Sequence, residues 1–139
     1  MAKEPTKTTR SMNAFFKENV EEVKNVFYPA SKRIKDENGN PVEWEIRVIP
    51  NSIMDAIKKK MHSGVVTGFE AAMEIAIAAI VYPNLNDSAL QDSYGVKKKD
   101  ELLKQMLTSA EIDALENFVM DANGYSDDFE AKVETAKNL

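Results

Sequence analysis

Apolar residues cover nearly every side of one stretch, residues 69–82, and the rest of the chain is patterned around it. Only Glu70 and Glu74 interrupt the stretch, and both are near its start. A helix that is apolar all round lies in a protein core or spans a membrane. This stretch has fourteen residues, fewer than the ~20 that a bilayer requires. The pattern therefore predicts the central buried helix of a soluble domain.

Strict alternation predicts a half-buried strand over residues 42–48. Charged residues separate its apolar positions, which are Val42, Trp44, Ile46 and Val48. A weaker alternation over residues 26–34 predicts the second strand of a hairpin, with the turn in residues 37–41. We expect Trp44, Ile46 and Val48 to pack against the central helix.

The separation of apolar from charged residues on the two faces of the hairpin predicts its register. A two-residue Asn-Gly turn places Arg33 opposite Trp44 and mixes apolar with charged positions. The register one residue along places Ile34 opposite Trp44 and Ala30 opposite Val48. A slip of one residue turns every side chain to the other face, so we prefer the second register.

Between the hairpin and residue 126, helical periodicity predicts one helix before the central helix and three after it. The first begins at Asn51 or Ser52 and ends near His62, and its inward residues are Ile53, Ile57 and Met61. Thr67 caps the central helix. A short helix follows Asp87 or Ser88 and ends at Gly95.

Two further helices are predicted by periodicity and by their caps. One spans residues 100–107, with inward side chains Leu102, Leu103, Met106 and Leu107. Thr108 and Glu111 form a capping box that opens the next helix, whose inward side chains are Ile112, Leu115, Phe118 and Val119. Asn123 and Gly124 close it.

The ends of the chain differ from its middle. Residues 1–12 are mostly polar and show no hydrophobic periodicity, which predicts a flexible tail. Residues 13–126 form a single domain, and residues 127–139 a C-terminal helix or tail. Asn13 is expected to cap a short helix over residues 14–19. Its Phe15 and Phe16 cannot share one side. Either one packs inward and the other is free for a partner, or both cover the edge of the domain; both are candidate partner-binding residues.

Composition narrows the functional classes. The 139 residues suit one domain. The formal net charge is −5, which argues against binding to nucleic-acid phosphates. The chain has no cysteine, so it has no disulfide or zinc–thiolate site and suits a cytosolic protein. No signal peptide is evident at Met1.

The sequence contains no recognisable active site, metal site or cofactor site. Its one histidine, His62, is at the C-terminal end of a lysine-rich helix, a position where a histidine interacts favourably with the helix dipole. Residues 36–47 fail the calcium-loop pattern, because Gly39 is at the fourth position and Arg47 replaces the required glutamate. The lysine runs at residues 58–60 and 97–99 are interpreted as solvated surface.

A dense turn follows the central helix at residues 82–87. Pro83 prevents the helix from continuing, and the residue before it is driven toward extended geometry. One interpretation is a rigid corner held by Asn and Asp side chains. The other is an apolar groove for a helix of another protein, lined by Tyr82, Leu85, Leu90 and Tyr94.

Three ordered segments carry a resemblance to a known family: residues 16–33, residues 38–47 and residues 82–95, the last reading Tyr-Pro-Asn-Leu-Asn-Asp-Ser-Ala-Leu-Gln-Asp-Ser-Tyr-Gly. Together they resemble the XkdN-like tail assembly chaperones of Gram-positive phages and prophages. The helix at residues 100–107 fits as well.

The resemblance implies a non-enzymatic chaperone of tail assembly in the host bacterial cytoplasm. Its implied partner is the tape measure protein, with the tail tube protein as a further candidate and neither nucleic acid nor membrane involved. A structural tail or connector component that stays in the particle is the alternative. From the residues, we expect a mainly helical α+β fold in which an antiparallel β-hairpin packs on helices around the central helix.

Overall fold

The computed structural model describes residues 11–125 and confirms the mainly helical α+β class. A three-stranded antiparallel sheet has the order β1-β2-β3. Its strands are β1 Val26–Tyr28, β2 Trp44–Ile46 and β3 Ile80–Tyr82. The α-helices of the described residues are α1 Asn51–His62, α2 Gly68–Ala79, α3 Ser88–Ser93, α4 Lys99–Met106 and α5 Ser109–Ala122. The C-terminal element predicted over residues 127–139 and most of the predicted tail lie outside the described residues.

Helix α2 is the central helix that the apolar pattern predicts, since it contacts α1, α4, α5 and β3. Its buried side is formed by Ala71, Met73, Ala76 and Ala79, and these mostly small side chains let the neighbouring elements approach closely. The predicted cap is confirmed: the Thr67 hydroxyl accepts the Glu70 amide at 3.1 Å. The Glu70 carboxylate in turn accepts the Thr67 amide at 2.9 Å.

The helix ends at Ala79, and the prediction that it continues to Tyr82 was wrong. Residues 80–82 form β3, in which Ile80 pairs with Ile46 and Tyr82 with Glu45. β-branched residues favour strands, and Pro83 drives Tyr82 toward extended geometry. The free edge of β2 supplies the hydrogen bonds that complete the strand.

The predicted hairpin register was also wrong. Tyr28 lies opposite Trp44, the place that the face pattern gave to Ile34. The strand stops after Tyr28 because Pro29 has no amide to donate to a ladder. The hydroxyl of Ser31 then accepts the Arg33 amide at 3.1 Å, which turns the chain away from β2.

The turn between β1 and β2 is held by one carboxylate. Asp36 Oδ1 accepts the amides of Asn38 at 2.8 Å and Asn40 at 3.0 Å. Gly39 has φ +81°, a conformation that L-residues with side chains rarely adopt. The acidic and amide residues that partly resemble a calcium-binding loop thus serve as turn residues.

Two expectations around α1 are corrected. The residue before the helix is Pro50, and no side chain caps the end. Met54 and Ile57 are the buried residues, whereas Met61 is exposed, because α1 turns its Met54 side toward the core. Val48 is also exposed, because the strand ends at Ile46 and it is the next residue, Ile49, that is buried in the core.

The last two helices match their predictions closely. Helix α4 buries Leu102, Leu103 and Met106. The capping box of α5 is confirmed, because Thr108 and Glu111 each accept the other's amide, at 3.2 and 2.9 Å. Phe118 of α5 stacks on Tyr28 with ring centroids 4.3 Å apart, which joins the helices to the sheet.

Two polar braces connect distant parts of the chain. Arg33 donates to the Met106 carbonyl at 3.0 Å and to Glu111 Oε1 at 2.8 Å. Asn123 Oδ1 accepts the amide of buried Ile49 at 2.8 Å. Within residues 11–125, no helix is long and apolar enough to cross a membrane.

Candidate functional site

The N-terminal arm, defined as residues 11–25, is exposed at every position. It contains two short 3-10 segments, Met12–Phe15 and Lys17–Asn19. The predicted α-helix over residues 14–19 was wrong, since Phe16 is extended, with φ −68° and ψ 142°, and separates the two segments. Ser11 takes the capping position that was predicted for Asn13.

The arm exposes large apolar side chains that no folding requirement explains. Phe15 and Phe16 are 74% and 50% exposed, so neither packs inward. The other exposed apolar side chains of the arm are Met12, Val20 and Val23. Single exposed apolar residues are ordinary, but a contiguous set of them marks an interaction surface.

The outer face of the sheet, defined as Phe27, Glu45 and Tyr82, continues this surface. Phe27 pairs with Glu45, and directly paired residues project from the same side of a sheet. Tyr82 pairs with Glu45 from the other neighbouring strand, next to a β-bulge between Glu45 and Ile46. Phe27 is 58% exposed and Tyr82 is 55% exposed. Two exposed aromatic residues therefore lie on the strands that flank Glu45.

A hydrogen bond links the arm to the outer face. Asn25 Nδ2, at the last position of the arm, donates to Glu45 Oε2 at 2.7 Å. This hydrogen bond orients the Glu45 carboxylate. It connects the arm to the sheet through two side chains, in addition to the covalent connection through the backbone into β1. The arm and the outer face thus form one candidate surface with apolar groups around a hydrogen-bond acceptor.

The groove predicted at the turn is only partly assembled by the structure. Leu85 is buried in the core cluster, so it is not an accessible lining residue, because the turn folds it under α3. Leu90 is half-buried against the same cluster, and Tyr94 is exposed at the end of α3. Tyr82 instead lies across the sheet from Phe27.

The turn itself is the rigid corner that the first interpretation describes. Asn84 Oδ1 accepts the Asn86 amide at 3.0 Å, and Asp87 Oδ1 accepts the Leu90 amide at 2.8 Å. Gln91 Nε2 donates to the Leu85 carbonyl at 2.8 Å. These bonds hold β3 and α3 in a fixed relation, which in turn fixes the position of Tyr82.

Sequence reasoning missed Phe27 as a site residue. The available signal was its parity: Tyr28 belongs to the inward face, so its neighbour must point outward. A large aromatic residue on the polar side of a half-buried strand is the feature that indicates contact with a partner.

The candidate surface combines exposed aromatic side chains with one carboxyl group. Glu45 lies on the strand between Phe27 and Tyr82, and its side-chain oxygens can accept hydrogen bonds. Among residues 11–125, no three His, Asp or Glu side chains are grouped so that they could hold a metal ion. Aromatic rings beside a fixed acceptor suit an amphipathic segment with apolar side chains and a donor.

Known proteins resemble this chain over most of its length. The family model of the phage XkdN-like tail assembly chaperone protein matches residues 12–137, a range that contains the outer face and all of the arm except Ser11. Two proteins of Bacillus subtilis (strain 168) are similar over 128 residues: uncharacterized protein YqbN, 29% identical, and phage-like element PBSX protein XkdN, 27% identical. Each alignment covers 84% of this chain and 86% of the other protein.

The fold is also found in a solved structure. A crystal structure of the protein YqbN superposes with a TM-score of 0.74 at 23% identity. The superposition covers 84% of this chain and 98% of that chain. The arrangement of helices and strands described above is therefore one that a relative also adopts.

Proposed function

This chain belongs to the XkdN-like phage tail assembly chaperones, and we propose that it binds the tape measure protein during tail assembly without catalysing a reaction. The binding takes place in the host bacterial cytoplasm, before the tail tube encloses the tape measure. The observation that carries the proposal is the exposed aromatic surface formed by the arm and the outer face.

The physical task of such a chaperone is to cover apolar surface temporarily. A long amphipathic helix that has not found its final partners is prone to aggregate. Phe15 and Phe16 on the arm, with Phe27 and Tyr82 on the sheet, supply aromatic contacts for its apolar stripe. The side chains are already exposed, so binding requires no unfolding of the core.

The proposal is tested by co-expression of the chain with its tape measure protein, followed by pulldown. We expect the unaltered chain to recover the tape measure protein. We expect at least a ten-fold lower recovery when Phe27→Thr is combined with Tyr82→Thr, and a similar loss when Phe15→Ser is combined with Phe16→Ser. Removing central aromatic contacts has effects of this size in protein interfaces.

A matched control is Val65→Ser. Val65 is an exposed apolar residue outside the arm and the outer face, so its substitution should leave recovery unchanged. Equal recovery by all variants would contradict the assignment of the surface. Pulldown of the tail tube protein alone provides the comparison for the second candidate partner.

The location of the chain after assembly separates the proposal from the structural alternative. A chaperone leaves when the tube closes around the tape measure, so purified mature tails should lack the chain by mass spectrometry. Its presence in stoichiometric amounts would favour a structural tail or connector component instead.

A further inference from the structure

A second open surface lies on the helical side of the molecule. Two adjoining hollows of about 390 and 510 Å³ share Glu74, Ile77 and Lys99, and α2 forms their floor between α1 and α4. We call them together the basic cleft. Its apolar residues include half-buried Ile77 and, at one end, Phe69, which is exposed.

The acidic side chains of the basic cleft are already engaged. Glu70 takes part in the cap of α2 with Thr67, and Glu74 forms an ion pair with Lys60. Asp100 is in the first turn of α4, where the helix dipole favours a negative charge. The second carboxylate oxygen of Glu74, Oε2, is buried and has no hydrogen-bond partner among the described residues.

The lysines on the other wall remain available. Lys99 and Lys104 line the cleft, and neither is within ion-pair distance of a carboxylate in the part of the chain that the structure describes. Lys97 and Lys98 immediately precede them. On a chain of net charge −5, the cleft carries a small surplus of positive charge. Its lining has four basic side chains and three acidic ones: Arg47, Lys60, Lys99 and Lys104 against Glu70, Glu74 and Asp100.

The arm has the complementary chemistry. Its glutamates, Glu18, Glu21 and Glu22, alternate with apolar side chains and outnumber its two lysines. Nine residues from Phe15 to Val23 can span up to ~30 Å. The floor helix has 12 residues and is therefore ~18 Å long. The arm is long enough to lie along the whole cleft.

The arm does not cover the cleft of its own molecule. All of its residues are exposed, and it leaves the fold at the free edge of β1, whereas the cleft lies over α2. Both members of a complementary pair are thus left open on one chain, which is the condition for reciprocal exchange between two copies.

We propose that the arm of one copy lies in the basic cleft of a second copy, and that the second arm returns to the first cleft in a two-fold dimer. Phe15 and Phe16 contact the apolar floor, and the arm glutamates approach Lys99 and Lys104. If the proposed function holds, the same aromatic residues serve the tape measure protein, so dimerisation and tape measure binding compete.

The dimer is tested without any tape measure protein. Sedimentation equilibrium of the full chain should give a mass near twice the 15.6 kDa of one chain. Lys99→Glu with Lys104→Glu reverses the cleft, and Glu18→Lys with Glu21→Lys and Glu22→Lys reverses the arm. We expect each variant alone to dimerise at least ten-fold more weakly.

Mixing the two variants is the decisive test. In the mixture each arm meets a cleft of opposite charge, so we expect the dimer to return, as a mixed species of one copy of each. The matched control, Lys32→Glu with Lys59→Glu, makes the same charge change at exposed lysines outside the arm and the cleft, and should leave the dimer intact.

Three outcomes would overturn the proposal: a monomer at every concentration, a dimer that no charge reversal weakens, and a mixture that stays monomeric although circular dichroism shows both variants folded. Each of these leaves the pulldown of the tape measure protein unaffected. The two proposals can therefore fail separately.

Discussion

The two faces of the small sheet carry similar amino acids but do different work. On the inner face, Trp44 and Ile46 are 1% and 0% exposed. On the outer face, Phe27 and Tyr82 project into solvent from the neighbouring strands. Hydrophobicity alone therefore does not identify the residues that hold this fold together; the face of the strand does.

The difference assigns a role to each face. Burying a large apolar side chain contributes on the order of 1.5–3 kcal/mol to stability, and Trp44 and Ile46 obtain this contribution. An aromatic ring that remains in water obtains little of it. The outer rings thus have no large folding benefit.

Of the substitutions that test this difference between the two faces, Trp44→Ala is expected to lower the free energy of unfolding most. The substitution leaves a large cavity beneath the sheet, and we expect the free energy of unfolding to fall by about 3–5 kcal/mol. Urea unfolding followed by circular dichroism measures the change. Trp44→Phe keeps an aromatic ring and should cost clearly less; equal effects of the two substitutions would argue against a tightly packed site.

A smaller effect is expected from Asn123→Ala, which removes the brace between α5 and the segment after β2. The amide of buried Ile49 loses its acceptor, and an unsatisfied buried donor costs about 1–3 kcal/mol. Asn123→Asp keeps an acceptor for that amide and is the matched control. A loss no smaller for Asp than for Ala would show that the acceptor is not what matters.

Glu111 gives a prediction that depends on pH. The hydroxyl of Ser31, the backbone amide of Thr108 and the guanidinium of Arg33 lower the pKa of the Glu111 carboxyl from 4.5 to about 2. Because the folded-state pKa is lowered, the stabilisation is complete above pH 4.5 and is lost as the pH falls from there toward 2.

The measurement compares Glu111→Gln with the unaltered chain in urea at several pH values. We expect the stability difference between the two to be largest near neutral pH, on the order of 1 kcal/mol as for other helix caps, and to shrink below pH 4.5. A difference that does not change with pH would contradict the assigned role of the charge.

The smallest change in stability is expected on the outer face. Phe27→Thr and Tyr82→Thr remove the rings but keep residues that favour strands. We expect each to change the free energy of unfolding by no more than about 0.5 kcal/mol, as for other surface substitutions. A loss comparable with that of Trp44→Ala would show that the two faces share the folding role after all.

Some features could be predicted because their causes are local. The caps at Thr67 and Thr108 depend on residues three positions away, and the position of α2 follows from its own apolar run. The inward side of α4 was likewise evident from its spacing. In each case the interacting groups are close together along the chain, so the local amino-acid sequence is enough to predict the interaction.

Other features were decided by groups distant in sequence. Helix α2 ends at Ala79 because β2 offers an edge to residues 80–82, and the register of β1 is set by its pairing with β2. The outer face exists only because β3 brings Tyr82 to the sheet that holds Phe27. Apolar periodicity shows which residues can be buried, but only the pairing of separated strands determines which of them remain exposed.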